Sequence, residues 1–277
     1  MSSLLPALGV GLGFRAPHLA ELFFQRAEID FLEITADHFL FGSPEKEREL
    51  RLLADHFTLI PHGLNLSLGS AAGLDMRYAE KFASLVEQLN PPWWSEHLAF
   101  TRGGEIEIGH LTPLPFTREA VEAVERNVAS MRGLTSKPLI LENITCAFHL
   151  PGAEMSEGEF LRRVCDATGC GWLLDVTNLY INSRNHGFDP RRWLDDAPLE
   201  RIVQLHFVGS THENGRWIDS HARPVEPEIW ALLEEVLARS ETRGAILERD
   251  EQIPPLAELL PELRTLREMG RSLGRWA

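Results

Sequence analysis

Cysteine is scarce in this chain, and the few present show no framework. Only 3 of the 277 residues are cysteine, and Cys146, Cys165 and Cys170 have neither CxxC spacing nor an even-numbered pattern. Disulfide scaffolds and thiolate zinc sites require such spacings. The three side chains are therefore predicted to be reduced, partly buried thiols, as in cytosolic proteins.

Positive charge and long apolar runs are also scarce. The chain has 27 Lys and Arg against 41 Asp and Glu, which gives a formal net charge of −14. This balance argues against the clustered basic surface of nucleic-acid-binding proteins. No apolar run approaches the length of about 20 residues that a membrane span needs, and residues 4–14 lack a signal-peptide pattern. We therefore predict a cytoplasmic protein that binds neither nucleic acid nor membrane.

Strand-length apolar runs alternate with helical patterns about eight times along the chain. The first strand is predicted at 7–14, and helices are predicted at 76–89, 117–132, 156–168, 227–239 and 255–273. Thr117 and Ser156 are predicted helix starts, and Ser156 with Glu159 fits a capping box. The strands are apolar throughout, as expected when helices cover a parallel sheet. The sequence thus predicts an α/β fold, a (β/α)8 TIM barrel in one domain over residues 1–277, with a C-terminal helix at about 255–273.

Seven of the apolar runs finish at or near a residue that can bind a metal ion. These residues are Glu33, His62, His97, Glu142, Asp175, His206 and Glu248. A single histidine at a strand end is more often structural, but the carboxyl ends of barrel strands meet at one face, where active sites lie. Imidazole and carboxylate ligands suit Fe, Mn, Zn or Co. The recurrence therefore predicts a metal centre at this face.

More ligands are available than one ion requires. A predicted loop after the seventh strand holds a D-x-H pair, Asp219 and His221, and the amide of Asn178 follows Asp175 by three residues. Carboxylates such as Glu142 can bridge two ions, so a multinuclear centre is predicted. The hypothesis assigns one ion to His62, His97 and Glu142, a second to Asp175, His206 and Glu248, and a third to Asp219 and His221 with Asn178 as an additional candidate.

Two residues are candidates for a direct catalytic role without being assigned as ligands. Glu33 either acts in the site, orients a ligand or pairs with an arginine. His186, in the segment NSRNHGFDP, is a candidate acid or base that faces the substrate, and this segment is interpreted as a long loop. Asp37 and His38 are interpreted as loop residues.

Other motifs are given structural interpretations. Glu96 is left out of the ligand set because neighbouring side chains on a strand point in opposite directions. The alternating Gly9, Gly11 and Gly13 lack the helix of a dinucleotide fingerprint and are predicted to serve packing. Residues 110–117 are predicted to form a loop that could cover the mouth of the barrel.

The segments that carry these candidates resemble a known family. They are HGLNLSLG, SEHLAF, LILEN, LLDVTNLYINSRNHGFDP, LHFVG, IDSHARPV and ILERD, in order over roughly residues 8 to 255. Together they resemble the multinuclear non-haem iron-dependent oxidases that modify ribosomally made peptides. The resemblance implies a TIM barrel with two or three Fe(II)/Fe(III) ions that uses O2 to oxidise a side chain, most often cysteine, of a precursor peptide. It also implies a separate small partner protein that holds the leader part of that peptide.

The same resemblance implies a ligand set for the irons. The implied ligands are His62, His97, Glu142, Asp175, Asn178, His206, Asp219, His221 and Glu248. Two classes of alternative remain open. One is another metal-dependent barrel enzyme, a sugar isomerase or epimerase or a hydrolase, although the few lysines are not at strand ends and the chain is acidic. The other is a non-catalytic metal-binding or scaffold subunit of a peptide-maturation complex.

Overall fold

A closed ring of eight parallel strands forms the centre of the computed structural model, which describes residues 5–104 and 106–276. The strands of the described residues are β1 Gly9–Gly13, β2 Phe31–Thr35, β3 Thr58–Gly63, β4 Trp94–His97, β5 Phe100–Gly103, β6 Ile106–Thr112, β7 Leu139–Glu142, β8 Gly171–Asp175, β9 Ile202–Phe207, β10 Gly209–Glu213, β11 Arg216–Arg223 and β12 Gly244–Leu247. The barrel consists of β1, β2, β3, β4, β7, β8, β9 and β12, and β12 closes it by pairing with β1. The predicted TIM barrel is confirmed.

Helices follow the barrel strands and cover them from outside. They are α1 Leu19–Phe24, α2 Asp37–Leu40, α3 Pro44–Ala54, α4 Met76–Leu89, α5 Arg118–Arg132, α6 Glu157–Thr168, α7 Val176–His186, α8 Pro190–Asp196, α9 Pro227–Arg239 and α10 Leu256–Ser272. The predicted starts are confirmed, because Thr117 accepts a hydrogen bond from the Ala120 amide and Ser156 accepts one from the Glu159 amide. The predicted C-terminal helix is α10. The predicted domain also includes residues 1–4, 105 and 277, which lie outside the described residues.

An apolar layer fills the lower part of the barrel interior. It consists of Phe31, Ile60, Trp93, Ile140, Leu173, Val203 and Ile246, all fully buried. Gly11 is needed beside this layer, since a Cβ there would lie 2.5 Å from the Ile246 Cδ1 atom and 2.7 Å from the Phe31 ring. The packing interpretation of that glycine is confirmed. The polar strand ends therefore lie above a closed apolar floor.

Two β-hairpins stand outside the barrel sheet, and both correct sequence-based interpretations. Strands β5 and β6 form one two-stranded sheet and β10 and β11 the other. The first three residues of the predicted loop 110–117 belong to β6, and Asp219 and His221 lie in β11 rather than in a loop. The β10–β11 turn has Asn214 and Gly215 at φ 51° and 77°. Two successive residues at positive φ suit a tight hairpin turn, which is why these residues form strands.

The segment NSRNHGFDP is also not a long loop. Helix α7 extends to His186 and ends at Gly187, which has a φ of 74°. Asp189 then caps α8, which has Pro190 as its first residue. Glycine, aspartate and proline here mark the end of one helix and the start of the next. The interpretation of Asp37 and His38 as loop residues is wrong as well, because both lie in the short helix α2.

The cysteines and the lengths of the helices agree with the sequence analysis. Cys146, Cys165 and Cys170 are buried and free. Within residues 5–104 and 106–276, we find no helix with the length and apolar character needed to cross a membrane.

Candidate metal centre

The polar strand ends converge on three overlapping groups of possible metal ligands. The inner group is His62, His97 and Glu142; the middle group is Glu142, Asp175, His206 and Glu248; the outer group is His221, Glu248 and Asp250. Within each group the ligand atoms lie within 4.8 Å of one another. Glu142 belongs to two groups and Glu248 to two, so the groups form a continuous row across the barrel mouth.

The inner group surrounds a carboxylate oxygen that has no hydrogen-bond partner. The Nε2 atoms of His62 and His97 each lie 3.4 Å from Oε2 of Glu142, and this buried oxygen makes no hydrogen bond. The other ring nitrogens are occupied, since Nδ1 of His62 is 2.8 Å from Ser95 Oγ and Nδ1 of His97 is 3.1 Å from the Gly63 carbonyl. Two oriented imidazoles around an unsatisfied buried carboxylate oxygen fit a cation.

Charges in the inner group depend strongly on one another. Burial lowers the pKa of His97, but the charge of Glu142 and contact with Glu96 raise it to about 9. Burial alone would raise the pKa of Glu142, and the imidazoles of His206 and His97 bring it below its ordinary value. Protons on the imidazoles and a divalent cation are alternative ways to balance the same carboxylate charge.

The middle group brings three carboxylates together around one imidazole. Nδ1 of His206 lies 3.1 Å from Glu142 Oε1 and 3.1 Å from Glu248 Oε2. Burial, followed by the charges of Asp219 and Glu142, raises the pKa of Asp175 to about 8. Carboxylates crowded in this way repel one another, and a bound cation relieves that repulsion.

Asp175 is held rigidly in the middle group. Its Oδ1 caps α7 by accepting a hydrogen bond from the Asn178 amide. The side chain of Asn143, the residue after Glu142, bonds both the amide and the carbonyl of Asp175 at 3.0 Å. This amide clamp ties the ends of β7 and β8 together and fixes the spacing of their carboxylates.

The outer group is carried by the β10–β11 hairpin and the segment after β12. His221 has a φ of 50° within β11, an uncommon backbone for a residue other than glycine that is often found at functional sites. Its Nε2 is 2.7 Å from Asp219 Oδ1 and its Nδ1 is 3.4 Å from Asp250 Oδ2, yet neither buried ring nitrogen makes a hydrogen bond. An imidazole that lacks hydrogen bonds between carboxylates again fits a cation.

Two residues of this region were missed by the sequence analysis. Asp250 follows Glu248 by two residues, and that spacing in ILERD was the available signal. The half-buried Arg15, just after β1, hydrogen-bonds Asp250 and lies 3.2 Å from Glu248 Oε1. No local pattern pointed to Arg15, because it comes from the opposite end of the chain.

Four predicted residues, Asn178, Asp219, Glu33 and His186, lie outside the three groups, and Asp219 contacts the outer group only through His221. Asn178 lines the cavity and accepts a hydrogen bond from Thr145, which also contacts Asp219. Glu33 is buried behind His206, with its Oε1 2.8 Å from the Nε2 of that histidine. His186 Nε2 is 2.7 Å from the Cys146 carbonyl, and the residue does not line the cavity above the groups. The structure therefore does not bring His186 to the ligands.

A cavity of about 570 Å³ opens above the ligand row. Its walls include Leu64 and Asn65 after β3, Ile144 after β7, and His110 and Leu111 from β6. The predicted covering role for residues 110–117 is thus met in part by the edge of a hairpin. A pocket of this size holds a side chain together with some of its flanking backbone.

Comparison with known proteins agrees with this geometry. Residues 9–271 match the family model described as RiPP precursor modification enzyme MbnB/TglH/ChrH, where RiPP denotes a ribosomally synthesised and post-translationally modified peptide. The chain belongs to this family. Members of the UPF0276 group are similar along almost the whole chain. The protein of Rhizorhabdus wittichii is 36% identical over 266 residues, 95% of either chain. The protein of Caulobacter vibrioides is 35% identical over 276 residues, 99% of this chain and 96% of its own.

Solved structures resemble this chain at lower identity. The 3-keto-D-glucoside 4-epimerase YcjR from E. coli superposes with a TM-score of 0.60 at 13% identity and covers 94% of this chain and 99% of its own. A Thermus thermophilus protein, from a crystal soaked with ZnCl2, superposes with a TM-score of 0.57 at 22% identity and covers 95% and 99%. At these identities the likeness shows the barrel fold alone.

Proposed function

We propose that this protein is a multinuclear non-haem iron-dependent oxidase that uses O2 to modify a residue, most often cysteine, of a ribosomally made precursor peptide. The observation that carries the proposal is the continuous row of three ligand groups joined by Glu142 and Glu248 at the foot of the cavity. Membership in a family of precursor-modifying enzymes supports the peptide as substrate.

The donor set suits iron in both of its common oxidation states. The groups combine imidazoles with carboxylates, and no cysteine of the chain belongs to them. The inner and middle groups share Glu142, and the middle and outer groups share Glu248, so the row offers places for two or three ions. When bound, iron supplies the redox chemistry with O2 that no protein side chain provides.

The protein residues hold the metal ligands in position and enclose the peptide side chain. Ser95 and the Gly63 carbonyl hold the inner imidazoles, and Asn143 fixes Asp175. The walls of the cavity are partly apolar and partly polar, with Leu111 and Ile144 beside Asn65 and Thr145. Such walls can hold a peptide side chain above the ligand row while its backbone leaves through the open mouth.

Exposed apolar side chains on the two hairpins beside the cavity mouth are consistent with binding of a peptide or protein partner. Ile106 and Ile108 on β6 are 72% and 40% exposed, and Ile218 on β11 is 41% exposed. Exposed apolar side chains beside a functional cavity are typical of interaction surfaces. The proposal accordingly includes a separate small protein that presents the precursor peptide.

The competing barrel chemistries have less support. Lys46 and Lys81 lie in α3 and α4, and Lys137 precedes β7, so no lysine reaches the cavity as a sugar isomerase of the Lys-dependent kind would need. A nucleic-acid hydrolase would need a basic surface, whereas the net charge is −14.

The decisive experiment measures metal and O2 together. The protein is purified without oxygen, its metal content and Mössbauer spectrum are recorded, and O2 uptake is followed with candidate precursor peptides encoded near the gene. We expect two to three irons per chain and O2 uptake that depends on the peptide. His97→Ala should lose inner-group iron and product, whereas the exposed Arg271→Ala on α10 should behave as the unaltered protein.

Three results would overturn the proposal. Full iron content and turnover in His97→Ala would refute the ligand assignment. Stoichiometric zinc or manganese without an O2 response would point to isomerase or hydrolase chemistry. A folded protein that stays metal-free after exposure to iron would point to a scaffold subunit.

A further inference from the structure

A chain of buried polar side chains crosses the barrel directly below the ligand row. It runs from Trp93, before β4, through Gln204 on β9 and Glu33 on β2 to His206 on β9. All four side chains are at most 3% exposed. They lie beside the apolar floor, where unsatisfied polar groups are costly, so their hydrogen bonds must be complete.

The direction of every hydrogen bond in this chain follows from its first member. An indole N–H can only donate, so the 2.8 Å contact from Trp93 Nε1 makes Gln204 Oε1 the acceptor. The Nε2 amide of Gln204 must then face Glu33 Oε2, to which it donates at 2.6 Å. Glu33 accepts this hydrogen bond on Oε2, and its Oε1 lies 2.8 Å from His206 Nε2 in an ion pair. A carboxylate has no proton to give, so its negative charge favours a proton on Nε2 of His206.

This proton position determines which nitrogen of His206 can bind an ion. In the structure Nδ1 makes a 3.1 Å hydrogen bond with Glu142 Oε1 and lies 3.1 Å from Glu248 Oε2; with Nε2 protonated, Nδ1 can instead give its lone pair to an ion between these carboxylates. His62 and His97 are held the opposite way, with Nδ1 against Ser95 and the Gly63 carbonyl and Nε2 towards Glu142. The centre thus contains two imidazole orientations, each set by a different kind of partner.

A second hydrogen-bond arrangement would favour the other tautomer of His206. Gln204 Nε2 also lies 3.1 Å from His206 Nε2, so the amide could donate to an unprotonated Nε2. The proton would then lie on Nδ1 and block the nitrogen that faces the ligand row. The negative charge of Glu33 at 2.8 Å favours the Nε2–H tautomer instead.

We propose that Glu33 is a positioning residue that selects the Nε2–H tautomer of His206, with Trp93 and Gln204 fixing its orientation, so that the middle group binds its ion through Nδ1. This inference rests on the metal binding in the proposed function but not on iron or on O2 chemistry.

The test uses zinc-loaded protein, since Zn(II) is diamagnetic. Long-range 1H–15N NMR of 15N-histidine-labelled protein identifies the coordinated nitrogen of each imidazole. Among the three histidines of the inner and middle groups, we expect only His206 to bind through Nδ1, with His62 and His97 bound through Nε2. This spectrum of the unaltered protein tests the proposal without any substitution. Coordination of all three through Nε2 would overturn it.

Substitution of Glu33 tests the selection itself. In Glu33→Gln the new amide has a single acceptor oxygen; if this oxygen accepts from Gln204, which Trp93 prevents from turning over, the NH2 of residue 33 faces Nε2 of His206 and favours the other tautomer. We expect the middle-group zinc to bind roughly 10- to 100-fold more weakly, the range for changes to groups that orient metal ligands. Zinc per chain after dialysis should fall by one while the signals of His62 and His97 remain. Unchanged zinc content with an unchanged His206 signal would overturn the proposal.

A second substitution separates hydrogen-bond direction from simple structural damage. Adding Trp93→Phe to Glu33→Gln lets Gln204 turn over, accept from residue 33 and restore an acceptor for His206 Nε2. The double variant should regain zinc and the Nδ1 signal, which mere disruption of the core would not allow. Failure to regain either, in a folded protein, would count against the proposal.

These outcomes are distinct from failure of the proposed function. If the unaltered protein binds no metal, both ideas fall. If it binds zinc through the predicted nitrogens but shows no O2 uptake when iron-loaded, the oxidase proposal falls and the role of Glu33 stands.

Discussion

The inner and outer ends of the ligand row are built differently. His62, His97 and Glu142 lie on barrel strands and are at most 8% exposed. His221 and Asp250 come from a hairpin and from the segment after β12, and the Asp250 side chain is 38% exposed. One end is part of the barrel wall, whereas the other is attached to it.

The difference extends to how each ligand is oriented. The inner imidazoles have one nitrogen bonded to Ser95 or to the Gly63 carbonyl, but neither nitrogen of His221 makes a hydrogen bond. Orienting partners strengthen metal binding by roughly 10- to 100-fold. We therefore expect tighter binding at the inner end and a more readily exchanged ion at the outer end.

The largest loss of metal binding is expected on removal of the carboxylate that joins the inner and middle groups. Glu142→Ala removes the carboxylate shared by the inner and middle groups. Both groups should lose their ions, with a fall in affinity of at least roughly 100-fold and loss of turnover. Metal analysis after gel filtration checks this, with circular dichroism as the control for folding. Retention of two ions would show that the groups do not depend on Glu142.

A smaller effect is expected when only the outer end is altered. His221→Ala should remove one ion and leave the inner and middle ions bound, because those groups contain no atom of this residue. Metal release into a chelator should show a fast phase and a slow phase in the unaltered protein, and the variant should lack the fast one. If inner and outer ions leave together in the unaltered protein, the distinction between the two ends is wrong.

The smallest effect is expected for Glu157, a half-buried carboxylate at the start of α6 that belongs to neither end of the row. Burial raises the pKa of Glu157 above its ordinary value of 4.5, although the hydrogen bond from Trp193 opposes this. The folded state thus prefers the protonated acid, and stability falls as pH rises from about 4.5 through the raised folded pKa.

The variant Glu157→Gln keeps an acceptor for Trp193 and removes the charge. It should be slightly more stable at neutral pH, show a flatter dependence of unfolding free energy on pH, and keep full metal content. Urea unfolding at several pH values provides the measurement. Loss of metal in this variant would mean that even a carboxylate change outside the ligand groups disturbs the row.

The inner end was easier to predict from sequence than the outer end. Barrel strands are continuous apolar runs, so the positions of His62, His97 and Glu142 at their ends could be identified from local pattern and brought together by the rule for parallel barrels. Helix starts at Thr117 and Ser156 were equally local, because a capping side chain bonds an amide three residues away.

One contact of the outer end is not encoded by any local pattern. Arg15 and Asp250 are 235 residues apart and meet only because the barrel closes.

The strand that carries Asp219 and His221 could have been predicted. Asn214-Gly215 is a hairpin signal that places both residues on a strand. The position of Glu33 at a strand end is readable from sequence, but its contact with His206 rather than with an arginine depends on how the strands face one another across the barrel.

The separateness of the two hairpin sheets from the barrel sheet has an evolutionary consequence. A relative could exchange β5–β6 for a longer, shorter or differently charged hairpin without moving a strand-borne ligand, and so acquire a new peptide preference. The same exchange of β10–β11 would remove Asp219 and His221 and alter the metal complement. We therefore expect the sequence of β5–β6 to vary among relatives with different substrates and that of β10–β11 to vary little. Chimaeras that exchange β5–β6 should keep their metal ligands, whereas chimaeras that exchange β10–β11 should not.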